Sequence, residues 1–134
     1  MQIETRFGGT ALVLASALFA ATLAFAPAHA DSAAQAGDAA KGRAFFSTCA
    51  GCHDLTSTSK IGPPLKGVVG RKAGTVAGAN YSPAMKKAGI VWTAQTLDTY
   101  LAGPAAMVPG SRMAIRITDA QKRADLIAYL KTLK

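Results

Sequence analysis

Apolar side chains recur along this chain at helical spacing, and no stretch alternates convincingly as a β-strand does. The clearest case lies near residue 130. Three leucines there fall on one helical face at i, i+4 and i+7, namely Leu126, Leu130 and Leu133. Thr118 and Gln121 have the spacing of a capping box, so the sequence predicts a last helix over residues 119–133.

Capping residues indicate two helices earlier in the chain. Asp38 can cap a helix that runs through Phe46 to the cysteine motif at residues 49–53. Ser82 followed by Pro83 is typical of an N-cap with proline at the first helical position. We therefore expect a short helix that ends at about Ala88.

A further helix is predicted over residues 94–102, where Thr93 can serve as its cap and Gly103-Pro104 stops it. Residues 31–37 are rich in alanine and serine and are expected to form a frayed terminus. These patterns predict an all-α fold with about four to five helices.

Two long loops separate the predicted helices. The first, residues 54–80, is rich in Gly, Thr and Ser and contains Pro63-Pro64. The second contains Met107, Pro109-Gly110 and Met113. Loops of this length in so small a domain usually need a function or a ligand on which to pack, so we expect them to wrap around a bound group.

Residues 1–30 do not fit this fold. A short polar stretch with Arg6 precedes an apolar run from Thr10 to Phe25, and Ala28 and Ala30 suit a small-residue cleavage site. The run is alanine-rich and shorter than the ~20 residues of a membrane span, which favours a cleaved signal peptide over a retained anchor. We therefore expect cleavage near Ala30, export to the periplasm, no stable membrane insertion, and one domain over residues 31–134.

The net charge of +8 points to acidic partners. Loss of residues 1–30 removes one base and one acid and leaves this value unchanged. An exported protein rarely meets nucleic acid, so acidic docking surfaces on other proteins are the expected partners.

The strongest chemical signal is Cys49-Ala-Gly-Cys52-His53, because CxxCH is the attachment pattern of a c-type haem. Two thiols three residues apart can bond two vinyl groups on one porphyrin edge, and a histidine directly after them can bind iron. One helical turn ending at the histidine would supply all three groups.

Two other uses of a CxxC pair fit less well. A redox disulfide normally lies in a βαβ context, which is absent here. A zinc site needs more Cys or His ligands, yet the chain has two cysteines and two histidines, and His29 lies in the predicted signal peptide. With His53 alone left to donate, a second axial ligand of iron would be a methionine. The candidates are Met85, Met107 and Met113. Met85 is predicted to pack within a helix, whereas Met107 and Met113 share the second loop, and Met113, after a predicted turn, is only slightly favoured over a packing role.

The chain also resembles the small, soluble, single-haem cytochromes c of mitochondria and bacterial periplasms. The resemblance extends over residues 31–134 and rests on several motifs in order: Gly37–Gly42, Cys49–His53, Ile61–Leu65, Gly67–Arg71, Ala88–Trp92, Pro109–Met113 and Arg123–Leu130. It implies the cytochrome c fold, with one haem c attached through Cys49 and Cys52.

The resemblance further implies a role for each matching residue. His53 and Met113 would be the axial iron ligands, and the Pro63 carbonyl would accept a hydrogen bond from His53. Tyr100 would lie near the methionine sulfur. Four residues would surround the haem propionates: Arg71, Tyr81, Ser82 and Trp92. On the first helix Gly42 and Phe46 would meet two residues of the last one, Leu126 and Tyr129.

Three positions depart from the family pattern of docking lysines. Thr48, Ala105 and Ala106 stand where many members carry lysine, so the basic ring near the haem edge is thinned. Met85 replaces a common asparagine, and the segment after Met113 lacks the usual Phe and Gly.

The function implied is electron transfer by a monomeric periplasmic carrier that cycles between Fe(II) and Fe(III), with redox complexes as donor and acceptor. No set of residues in the sequence suggests an enzyme. Two alternatives remain open: a c-type haem protein that binds a small ligand or reacts with peroxide, and a haem subunit of a permanent redox complex.

Overall fold

The structure, a computed structural model, describes residues 36–134 and confirms the predicted all-α fold. Its helices are α1 (Ala39–Phe45), α2 (Pro83–Lys87), α3 (Ala94–Ala102), α4 (Pro104–Met107) and α5 (Ala120–Thr132). A 3₁₀ turn, Phe46–Thr48, continues α1 toward the cysteines. The described residues contain no β-strand, and one isolated antiparallel bridge joins Lys72 to Val91. The predicted signal peptide, residues 1–30, lies outside the described residues.

Three helices begin at the residues that the sequence predicted. The Asp38 carboxylate accepts hydrogen bonds from the amides of residues 40 and 41 at the start of α1. The Ser82 hydroxyl accepts one from the Met85 amide at 3.1 Å, with Pro83 as the first residue of α2. Thr93 begins α3 in a reciprocal capping box with Thr96. Each cap satisfies amides that the first helical turn leaves without partners.

Two predictions about the C-terminal half were wrong. The second loop contains the short helix α4, because Gly103 is extended at φ −168° and Pro104 then begins a new helical turn. Helix α5 is capped by Asp119, whose carboxylate accepts from the Lys122 amide, and not by Thr118. The predicted capping box between Thr118 and Gln121 is therefore not formed.

Helices α1 and α5 cross in close contact. A Cβ added to Gly42 would lie 2.0 Å from the main-chain oxygen of Asp125 and 2.9 Å from the Cβ of Tyr129. Beside this crossing the rings of Phe46 and Tyr129 lie 5.9 Å apart in a tilted arrangement. The implied meeting of Gly42 and Phe46 with the last helix is thus present, and it joins the two ends of the described chain.

The core lies between α3, α5 and the first loop. Leu126 is its most deeply buried side chain, at 2% exposure, and Leu97, Leu101, Ile127 and Leu130 surround it in one cluster. Main-chain hydrogen bonds hold the loop onto this core, including Gly67 to the Leu133 carbonyl at 2.7 Å. Among residues 36–134, no helix is both long and apolar enough to span a bilayer.

Candidate haem site

The CxxCH segment forms the predicted single turn. The His53 amide donates to the Cys49 carbonyl at 2.9 Å, the spacing of an α-helical turn, and the Cys49 amide donates to Phe46 at 2.8 Å. Cys49 is half-buried and Cys52 is exposed. Before haem attachment, burial, and then the neighbouring Cys52, raise the pKa of the Cys49 thiol.

The His53 ring is held in one tautomer. Its Nδ1 atom lies 2.7 Å from the Pro63 carbonyl oxygen, which can only accept, so Nδ1 carries the hydrogen. The Nε2 atom is then the ring nitrogen whose lone pair is free to bind a metal. This contact is the one that the resemblance implied.

Gly62 fits closely against the same ring, a contact that the sequence analysis did not identify. A Cβ there would lie 2.5 Å from Cε1 of His53, and the Gly62 amide donates to the Cys52 carbonyl at 2.8 Å. The glycine directly before Pro63-Pro64 could have indicated this contact, because a main chain that lies so close to a ring leaves no room for a side chain. Lys60, also missed, donates to the Ala50 carbonyl at 3.1 Å and so bridges the CxxC turn.

Met113 follows a tight turn, as expected. The Ser111 amide donates to the Val108 carbonyl at 2.8 Å, and Gly110 at φ 89° takes the position that requires a positive φ. The Met113 side chain is half-buried, whereas Met85 is 7% exposed and belongs to the core. Of these two methionines, Met113 is the one that lies in a loop and is not fully buried.

The Tyr100 hydroxyl pairs with Ser111 at 2.6 Å, and the Ser111 hydroxyl also accepts from the Met113 amide at 3.3 Å. Burial raises the pKa of Tyr100, and the bond to Ser111 offsets part of this rise. Tyr100 therefore reaches the Met113 loop through Ser111. The sequence analysis assigned no role to this serine, because only the folded chain brings it to Tyr100.

The four residues assigned to the propionates fall into two groups. Arg71 and Trp92 are joined by a main-chain bond of 2.9 Å from the Trp92 amide to the Arg71 carbonyl, and the Trp92 ring packs 5.0 Å from Tyr100. Ser82 is buried and bonds to the Met85 amide, while Tyr81 beside it is half-buried. Their placement around propionates stays a prediction.

The Arg71 side chain provides a test of fit for an anionic group. Its Nη1 and Nη2 atoms donate to the carbonyls of Lys66 and Pro64, at 2.9 and 2.8 Å, but its buried Nε–H has no partner. Burial lowers the pKa of Arg71, but a guanidinium stays charged in proteins. A half-buried cation whose buried Nε–H is spare suits a carboxylate such as a haem propionate. The residues present thus fit a haem.

The helical fold, the two-thiol turn and the oriented imidazole define a small protein that holds one covalently attached haem. Comparisons with known proteins agree. The family model for cytochrome c matches residues 39–134. The chain is 47% identical over 104 residues to cytochrome c2 of Rhodomicrobium vannielii, covering 75% of this chain and 83% of that one. It is 50% identical over 101 residues to cytochrome c2 of Rhodopila globiformis, covering 73% and 95%.

The fold is likewise similar to a solved structure, cytochrome cH from Methylobacterium extorquens. That comparison gives a TM-score of 0.69 and 46% identity over 72% of this chain and 99% of the other. This chain belongs to the cytochrome c family. It carries one haem c with its iron, attached through Cys49 and Cys52, and serves as an electron carrier and not as an enzyme.

Proposed function

We propose that this protein is a periplasmic electron carrier whose haem iron is bound axially by Nε2 of His53 and the sulfur of Met113. The observation that carries the proposal is the 2.7 Å hydrogen bond between His53 Nδ1 and the Pro63 carbonyl. It fixes the ring orientation, makes the imidazole a stronger donor, and leaves Nε2 for the iron.

Met113 is the best second ligand among the described residues. Of the other methionines in this range, Met85 is buried in the core and Met107 lies on helix α4. Met113 follows the turn at Pro109-Gly110 and is anchored by its amide to Ser111. The family resemblance assigns it the same role.

When bound, the haem supplies the one-electron couple between Fe(II) and Fe(III). The residues of the chain set its surroundings. With His53 and Met113 both donating, the metal has no open position for a substrate. Buried Trp92 and Tyr100 exclude water and so limit the solvent rearrangement that accompanies a change of charge. The exposed Cys52 marks the edge through which a docked partner would exchange electrons.

An absorption spectrum tests the ligation directly. The oxidised protein should show the sulfur–iron charge-transfer band, and the reduced protein should not bind carbon monoxide readily at neutral pH. Met113→Ala should abolish the band and admit carbon monoxide, while Met107→Ala, a matched change in the same part of the chain, should leave both properties unchanged. Ready carbon monoxide binding by the unaltered protein would instead indicate a ligand-binding haem protein.

The signal-peptide pattern of residues 1–30 supports the proposed export to the periplasm. Expression in a bacterium with a haem-attachment apparatus should give a periplasmic protein whose mass corresponds to residues 31–134 plus one haem. A mass that retains residues 1–30, recovered with the membrane fraction, would indicate an anchored form.

The proposed partners are redox complexes with acidic docking surfaces, and the carrier itself is proposed to be a monomer. The net charge of +8 supports this, and several bases are exposed: Lys86, Lys87, Arg116 and Lys122. The departures at Thr48, Ala105 and Ala106 are also exposed, so the basic ring is thinned at these positions. Electron transfer to the partner should slow as salt concentration rises, and sedimentation should give one chain per particle.

A further inference from the structure

We propose that Arg71 is a positioning residue for the His53 imidazole and that it acts through the loop carrying Pro63. It would hold the Pro63 carbonyl where His53 Nδ1 needs an acceptor. The inference rests on the proposed ligation of iron by His53. It adds to the role near a propionate that the resemblance implies for Arg71.

Both terminal nitrogens of the Arg71 guanidinium donate to main-chain carbonyls shortly after Pro63, the residue whose carbonyl accepts from His53. Nη2 donates to the Pro64 carbonyl at 2.8 Å and Nη1 donates to the Lys66 carbonyl at 2.9 Å. The Pro63 carbonyl, one peptide before the first of these, lies 2.7 Å from His53 Nδ1. Arg71 therefore restrains the Pro64–Leu65 peptide, which follows directly on the Pro63–Pro64 peptide that carries the acceptor of His53.

Pro63 and Pro64 cannot secure this segment with their own amides, since proline has no N–H. The nearest main-chain donors on either side are Gly62, bonded to the Cys52 carbonyl, and Leu65, bonded to the Asp54 carbonyl. Between them the peptide planes can be fixed only through their carbonyl groups. The Lys60 amide donates to the Gly62 carbonyl, His53 itself to Pro63, and the Arg71 guanidinium to Pro64. Among the described residues, Arg71 is thus the one donor to these carbonyls from outside residues 60–65 and the CxxCH turn.

Arg71 is itself held firmly enough for this task. Its amide donates to the Val68 carbonyl at 3.1 Å, and its carbonyl accepts from the Trp92 amide at 2.9 Å. The side chain is half-buried, which strengthens its charged hydrogen bonds relative to those at an open surface. A planar guanidinium fixes two acceptors at once, whereas a lysine ammonium provides charge without that geometry.

The test separates geometry from charge by comparing Arg71→Lys with Arg71→Gln in the reduced, haem-loaded protein. NMR would measure hydrogen exchange at His53 Nδ1 and, as a reporter of global opening, at the Leu130 amide in α5. Redox titration would give the midpoint potential. Arg43→Lys, the same change at an exposed site on α1, is the matched control.

In both Arg71 variants we expect exchange at His53 Nδ1 to rise about tenfold while the Leu130 amide stays at its original rate. The potential should stay near its original value in Arg71→Lys, which keeps the charge, and shift in Arg71→Gln. Unchanged exchange at Nδ1 in Arg71→Lys would overturn the proposal, as would an equal rise at Leu130. Should Arg71→Gln fail to fold, Arg71→Lys alone decides between these outcomes.

Failure of the underlying ligation would look different. An imidazole bound to iron lies over the porphyrin, so its ring protons are shifted far upfield in the unaltered reduced protein. If that shift is absent, His53 is not the ligand. If the shift is present but the exchange rate at His53 Nδ1 is the same in the Arg71 variants as in the original protein, only the positioning role is wrong.

Discussion

Gly42 and Asp125 meet backbone to backbone where α1 crosses α5. A Cβ on Gly42 would lie 2.0 Å from the Asp125 carbonyl oxygen, and that oxygen belongs to a helix that cannot move aside alone. The crossing is therefore closer than any side chain at position 42 permits. It positions Phe46, and the cysteine turn that follows, against the last helix.

Gly42→Ala should lower the free energy of unfolding by about 2 kcal/mol, since overpacking against backbone exceeds the ~1 kcal/mol that alanine gains in a helix. Denaturant unfolding followed by circular dichroism measures this. Ala44→Gly, at an exposed site on the same helix, should cost only the propensity difference of about 1 kcal/mol. A Gly42→Ala protein as stable as the original would contradict the close crossing.

Asp125 should make the stability of this crossing depend on pH. Its carboxylate accepts from the Asp38 amide at 2.8 Å and from Gln121, and both bonds lower its pKa, the bond to Asp38 more. Because the folded pKa lies below the unfolded value, the stabilisation is complete above the unfolded pKa and is lost as pH falls through the folded one.

Asp125→Asn tests this through the difference in unfolding midpoint from the original protein. The original should be the more stable at pH 7, and the difference should shrink as the pH falls below the ordinary aspartate value of 3.8. A constant difference over that range would show that the carboxylate charge is not responsible.

Gly62→Ala should disturb the site without replacing either proposed ligand. The new Cβ would lie 2.5 Å from His53 Cε1, so the ring must tilt or the loop must move, at a cost of roughly 1–3 kcal/mol. We expect a lower thermal midpoint and less haem per chain by absorbance. Gly51→Ala is the control, because no atom lies within 4 Å of its Cβ, and it should behave as the original protein does.

Tyr100→Phe should loosen the Met113 loop. The change removes the 2.6 Å bond to Ser111 and leaves that hydroxyl with the Met113 amide alone, at a cost of about 1 kcal/mol. With Met113 as the sixth ligand, the sulfur–iron band of the oxidised protein should disappear at a lower temperature than in the original. Tyr129→Phe, another tyrosine packed on an aromatic ring, should not change the band.

Features set by neighbouring residues could be predicted from the sequence. Asp38, Ser82 and Thr93 cap helices because each side chain reaches amides two or three residues ahead. The cysteine turn is equally local. The Pro63 contact is not local, and only the family resemblance supplied it.

What could not be predicted depends on distant parts of the chain. Thr118 has the sequence of a cap, yet Arg123 donates to the carbonyls of Ile117 and Thr118, at 2.9 and 3.0 Å. These bonds help to keep that segment outside the helix, so Asp119 becomes the cap. The pairing of Tyr100 with Ser111 likewise needs α3 and the second loop in place. The short helix α4 was missed because Gly103-Pro104 ends one helix and also begins another.

The crossing of α1 with α5 also sets an order of events during synthesis. Residues 120–132 are made long after residues 39–45, so α1 has no helix to pack against until α5 has been synthesised. A helix as short as α1 has little stability by itself. The thiols that follow it therefore remain on an unfolded chain, accessible for haem attachment, until the last helix has been made.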